Sequence, residues 1–211
     1  MLDTEKLIAS MARDASPVTP APHPFMLGAK WLAAAIIYIA LVLVFMGLRP
    51  DIVFKLRSPI FIAELVLLAS IIISTALSAA LLSFPDLHQK RWVVYTPIVA
   101  VVFFILLIFL SWWADFPPVP LPRHNVQCLL SIACLTLLPT AWMFYTMRGL
   151  ASTHPYWTGS IALLSAFSIG ALSLRLSEQT NSLIHVIQWH YLPMLAVGLI
   201  GLLLGKILLR W

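Results

Sequence analysis

His124 and Cys128 stand four residues apart, a spacing that puts both on one face of a helix. An imidazole and a thiol so placed suit a soft or borderline metal ion. His185 and His190, at the entrance of the last apolar stretch, would complete such a set if the fold brought them alongside. The spacing is loose, with neither CxxC nor HExxH in the chain. The plainer alternative is a group of imidazoles at a membrane interface making ordinary hydrogen bonds, and the residues alone leave the metal question open.

Other chemistry finds less support. A bis-histidine haem needs facing histidines deep in opposed helices, and none lies deep enough. There is no GxSxG, no Walker lysine loop and no dinucleotide fingerprint. The expectation is a protein that is not an enzyme and carries no cofactor. Cys128 and Cys134 lie six residues apart in one apolar stretch, on different sides of a helix, so no disulfide between them is expected.

The elements that must position these groups are six long apolar stretches, at about 27–48, 60–83, 92–113, 126–147, 157–176 and 187–209. Each supplies the ~20 residues that cross ~30 Å of hydrocarbon, where only a helix satisfies its own backbone. The composition agrees, with 61% hydrophobic residues, 10% charged and a mean hydropathy of +0.96. The fold class is therefore all-α, a polytopic six-transmembrane-helix bundle. It divides into a tail at 1–24 and a membrane domain at 25–211. The net charge of +5 sits at helix ends rather than on one face, which argues for topology signals and against direct nucleic-acid binding. Eight Lys and Arg fall on the side of the N-terminus (6, 13, 30, 90, 91, 148, 206 and 210) and five on the other (49, 55, 57, 123 and 175). That bias places both termini in the cytoplasm.

Within the spans, tryptophans near the ends, Trp31, Trp92 and Trp157 among them, read as interfacial anchors. Glu64, one turn into the second span, is expected to reach water, and Arg175 to mark the far boundary of the fifth. Charge-free span centres argue against an ion-coupled transporter. Small residues at helical spacing (Ser70, Ser74, Ser78; Ala166, Gly170, Ser173, Ser177; Gly201, Gly205) read as close helix packing. Homodimerisation through Gly201 and Gly205 is the alternative, and the serine-lined faces would suit a small channel or transporter for a neutral solute. Pro97, Pro139 and Pro193 are expected to bend or unwind their helices.

The tail carries a further signal. Asp3 can cap a short helix over 3–15, with Leu7, Ile8 and Met11 on one face and Glu5, Lys6, Arg13 and Asp14 opposite. The proline-rich run 16–24 then makes an extended spacer. So short a helix is marginal alone in water, so its apolar face asks for a partner, either protein or bilayer surface.

The whole chain resembles the NrsF-type membrane anti-sigma factors of bacteria. The resemblance rests on DTEKLIASMARDASPV at 3–18, GLRPD at 47–51, KRW at 90–92, Cys128, and the Trp189-His190 pair. It implies a protein of the inner membrane that holds an extracytoplasmic-function sigma factor away from RNA polymerase and releases it under stress. The tail would bind the sigma factor, Leu7, Ile8 and Met11 entering an apolar groove and Arg13 and Asp14 setting register. A second cysteine of that family pattern is missing between spans five and six, where 175–185 holds none. The sensing candidates then become Cys128 with His124, His185 or His190.

Overall fold

Proline sets where four of the helices begin. Pro24, Pro59, Pro155 and Pro193 each stand in the first turn of a helix, where the missing N–H costs nothing. The computed structural model describes residues 2–14, 22–85, 91–114, 125–150, 152–179 and 182–209. In chain order the elements are α1 (Leu2–Asp14), α2 (Pro24–Met46), α3 (Ile52–Lys55), α4 (Pro59–Leu82), α5 (Arg91–Ala114), α6 (Asn125–Met147), α7 (Pro155–Ser177), α8 (Leu183–Val186), a π-helical turn (Ile187–Tyr191) and α9 (Pro193–Leu208). The long apolar helices α2, α4, α5, α6 and α7, with the π turn running into α9, match the six expected spans. α1 begins one residue ahead of Asp3, so Asp3 lies inside the helix rather than capping it.

α7 is the centre of the bundle, packing on α9, α4, α6 and α2. Its small residues allow this, since Ala162, Ala166 and Ala171 are wholly buried. The closest approach is to α9. A Cβ added at Gly205 would stand 2.1 Å from the Pro155 carbonyl oxygen, and one at Gly159 would stand 2.4 Å from Gly205 Cα. Ser160 Oγ donates to the Gly198 carbonyl across the same seam. Gly201 and Gly205 thus pack within the chain, as their spacing suggested, and not against the second copy that was the alternative. The outer helices instead carry large apolar side chains outward, such as Phe103, Phe109 and Leu110 on α5, as a lipid-facing surface should.

One further expectation changes. Trp31 is not an interfacial anchor: it is 4% exposed, and its indole donates to Thr146 Oγ1 at 3.0 Å, tying α2 to α6. Trp92 and Trp157 remain exposed near helix ends. The serine hydroxyls of α4 are bonded to the backbone. Ser70, Ser74 and Ser78 each donate to a backbone carbonyl, Ser78 to Val94 on α5. Cys128 is buried and Cys134 exposed, and neither is in a disulfide.

Pro193 also explains the π turn. Proline has no N–H to give, and its ring excludes the carbonyl four residues back, at Trp189. The preceding turn widens in response, and the Leu192 N–H reaches the Ile187 carbonyl five residues back at 2.8 Å. The widened turn points both His190 and Tyr191 into the bundle, where they are 1% and 6% exposed.

Candidate functional site

Neighbouring long helices alternate in direction. The C-terminal ends of α2 and α7, the N-terminal ends of α4 and α6, and the π turn thus meet at one face of the bundle. That face lies opposite the end at which α2 begins. Two polar clusters are buried there.

The first is built on charge. Arg175, in the last turn of α7, meets Glu64 in the second turn of α4, with Nε to Oε1 at 2.7 Å and Nη2 to Oε2 at 3.1 Å. Both residues are buried, so Glu64 does not reach water as expected; its counter-charge is Arg175. The Tyr191 hydroxyl donates to Glu64 Oε1, and its ring packs edge-on to Phe104 at 4.7 Å. Arg49 sits 1% exposed beside this group, held in a two-pronged pair by Asp51 (2.7 and 2.8 Å) and by its N–H on the Leu176 carbonyl. Both guanidinium groups lie over the Phe61 ring, at 5.0 Å for Arg175 and 5.5 Å for Arg49. The Arg49 hydrogen bonds hold the Asp51 carboxyl below its ordinary range.

The second cluster is built on metal-ligating types. The Cys128 thiol, near the start of α6, donates to Glu178 Oε1 at 3.2 Å. Glu178 directly follows α7. Its Oε2 lies 3.3 Å from His190 Nε2, and its Oε1 lies 3.9 Å from His185 Nε2. The two imidazoles meet edge to face at 5.4 Å. One donor atom from each of the four residues lies within 4.8 Å of the others. His185 and His190 are 0% and 1% exposed, and among the described residues neither ring makes a hydrogen bond through either nitrogen. Burial, aided by the nearby His190, holds the His185 pKa below the ordinary imidazole value.

The structure thus joins three of the four sequence candidates, Cys128, His185 and His190; His124 lies outside the described residues. Glu178 was missed. Its signal in the sequence was slight: one of only eight acidic residues in the chain, seven positions before His185. The tail candidates Leu7, Ile8, Met11, Arg13 and Asp14 stand apart from both clusters, on a helix exposed at every position from Thr4 to Asp14.

A six-helix bundle of membrane type, with two buried polar clusters at one face and a free amphipathic helix, defines a membrane-protein class with no catalytic motif in its sequence. The family model for NrsF, described as negative regulator of sigma F, matches residues 11–211. The chain belongs to that family, and a sigma factor is its implied partner. Neither a curated protein nor a solved structure gives a match. The matched region begins at Met11, so Leu7 and Ile8 fall ahead of it.

Proposed function

We propose that this protein is an anti-sigma factor of the bacterial inner membrane that holds an extracytoplasmic-function sigma factor through α1, and that an envelope or stress signal releases it. The observation that carries the reading is the state of α1. Leu7, Ile8 and Met11 lie on one helical face at 59%, 62% and 66% exposure, while the bundle closes its own core without them. An amphipathic helix of this size is unstable alone, and laying its apolar face in a groove of a partner is the economical solution. Asp14 borders that face and Arg13 lies across the helix from it, and the two would supply polar contacts that set register. Family membership supplies the partner's class. Both termini belong in the cytoplasm on this reading, which sets the buried clusters at the outer face as the place where a signal acts.

Full burial of a leucine or methionine side chain is worth about 2 kcal/mol. Leu7→Asp with Met11→Asp should therefore lose at least ~4 kcal/mol of binding, about a thousandfold in affinity. The test is capture of a co-expressed extracytoplasmic-function sigma factor by detergent-solubilised protein, with membrane insertion checked in parallel. Undiminished capture by the double variant would remove α1 from the binding surface. The solute-transporter alternative has less to stand on. A cavity of about 220 Å³ between α2, α4, α6 and α7 has mainly apolar walls, and so has one of about 400 Å³ that Ser70 and Ser74 line with Ile73, Leu77 and Trp92.

A further inference from the structure

We propose that Cys128, Glu178, His185 and His190 form a binding site for one divalent cation of the zinc class. The site stands on its own geometry and does not depend on the sigma-factor reading.

Four observations lead to it. The donor set, one thiol, one carboxylate and two imidazoles, is of the kind that borderline cations select, whereas calcium or magnesium would call for oxygen throughout. The donors converge. In a tetrahedral zinc centre the bond lengths of 2.0–2.3 Å put ligand atoms roughly 3.3–3.8 Å apart. Here all four lie within 4.8 Å of one another, so side-chain rotations of about an ångström would close the shell. The histidines are the third observation. A buried imidazole without a hydrogen bond is costly, and two such rings side by side, both facing the same carboxylate, are explained by an acceptor for their lone pairs. The fourth is charge. Arg175, whose charge also reaches Glu178, is paired with Glu64. Loss of the thiol proton on binding gives one thiolate, one carboxylate and two neutral imidazoles, which balance a dication.

The supporting elements suit a closed site. Cys128 comes from the first turn of α6, Glu178 directly follows α7, and His185 comes from α8, where its backbone N–H donates to Ser182 Oγ at 3.4 Å. His190 comes from the π turn, whose widening aims it inward. Three separate segments are thus tied by one ion. Cys134, exposed further along α6, takes no part.

The test uses the full chain in detergent or nanodiscs, stripped with chelator and titrated with Co²⁺ as a spectroscopic probe, then with Zn²⁺ in competition. The expected result is one equivalent of Co²⁺ with tetrahedral ligand-field bands and a thiolate-to-cobalt charge-transfer band, displaced by one equivalent of Zn²⁺. Cys128→Ser should abolish the charge-transfer band. Glu178→Gln and His190→Gln should each weaken binding at least tenfold, and His154→Gln, at an exposed position, should leave it unchanged. Where a variant loses its helical circular dichroism, a second measurement replaces it. In a Cys134→Ala background, Zn²⁺ should slow alkylation of Cys128. A folded chain that takes up no stoichiometric metal overturns the proposal. So does uptake indifferent to Cys128→Ser and His190→Gln, or alkylation unaffected by Zn²⁺.

Discussion

Replacing Glu64 by Gln isolates the buried ion pair. Arg175 would keep its position 8% exposed, with an amide in place of its carboxylate. A buried pair is a weak net stabiliser when compared with apolar residues of the same shape, because two desolvation costs offset the Coulomb gain. Removing one partner is different, since it leaves an uncompensated charge and typically costs 3–5 kcal/mol. Here the pair is two-pronged at 2.7 and 3.1 Å, and Tyr191 adds a third bond to the same carboxylate. The upper part of that range, about 4 kcal/mol, is therefore expected for Glu64→Gln. The Phe61 ring under Arg175 offsets only ~1 kcal/mol of it. Glu64→Leu with Arg175→Met removes both charges and should return to within about 1 kcal/mol of the parent. The assay is reversible unfolding in mixed micelles, read by circular dichroism, for the four members of the double-mutant cycle. A loss below 1 kcal/mol for Glu64→Gln, or a double variant as unstable as the sum of its singles, would refute the idea that Glu64 neutralises Arg175.

Two further predictions concern packing and protons. Gly205→Ala places a Cβ 2.1 Å from the Pro155 carbonyl oxygen, so α7 and α9 must separate; a loss of ~1–3 kcal/mol is expected in the same unfolding assay, while Gly149→Ala, whose Cβ meets nothing within 4 Å, should be silent. Asp51, held below its ordinary pKa by Arg49, stabilises the fold above the unfolded carboxylate value and loses that contribution as pH falls through its folded value. Asp51→Asn should flatten the stability profile below about pH 4 and leave it parallel to the parent above pH 5.

The spans were legible because bilayer length leaves little choice: about twenty charge-free residues can only be a helix. Helix starts were less legible, since Pro24, Pro59 and Pro155 open their helices three, one and two residues ahead of the apolar runs. Partnership was not legible. Glu64 and Arg175 are 111 positions apart, and Trp31 and Thr146 are 115 apart. Each was read by its distance from a span end, which sets access to water only when no partner comes from another helix. The tryptophan therefore looked like an anchor and the glutamate looked solvated. The metal-ligating set was partly visible, because Cys128, His185 and His190 are unusual types in an apolar chain. Glu178 lacked any such mark: a carboxylate in a loop is ordinary until its neighbours are known. The π turn was half visible. Pro193 announces a disturbance in the helix, but the side chains it redirects depend on whether the chain kinks or widens.

The two buried clusters share parts. Glu178 lies one turn beyond Arg175, and His190 is bonded directly to Tyr191, whose hydroxyl rests on Glu64. Drawing Glu178 and His190 towards a common ligand therefore pulls on both residues that hold the ion pair. Arg175 is in turn fixed to α7, the helix against which α4, α6, α9 and α2 pack. α7 has 23 residues, about 34 Å at 1.5 Å per residue, and so runs from this face to the other side of the bundle, where α2 begins. An ion can bias α1 only to the extent that it binds two bundle arrangements with different affinity, and coupling of this kind commonly amounts to ~1–3 kcal/mol. That is about five- to 150-fold in the partner's affinity, against the roughly thousandfold expected from spoiling the apolar face of α1 itself. On these magnitudes the clusters would modulate the hold on a sigma factor, and the tail helix would determine whether there is a hold at all.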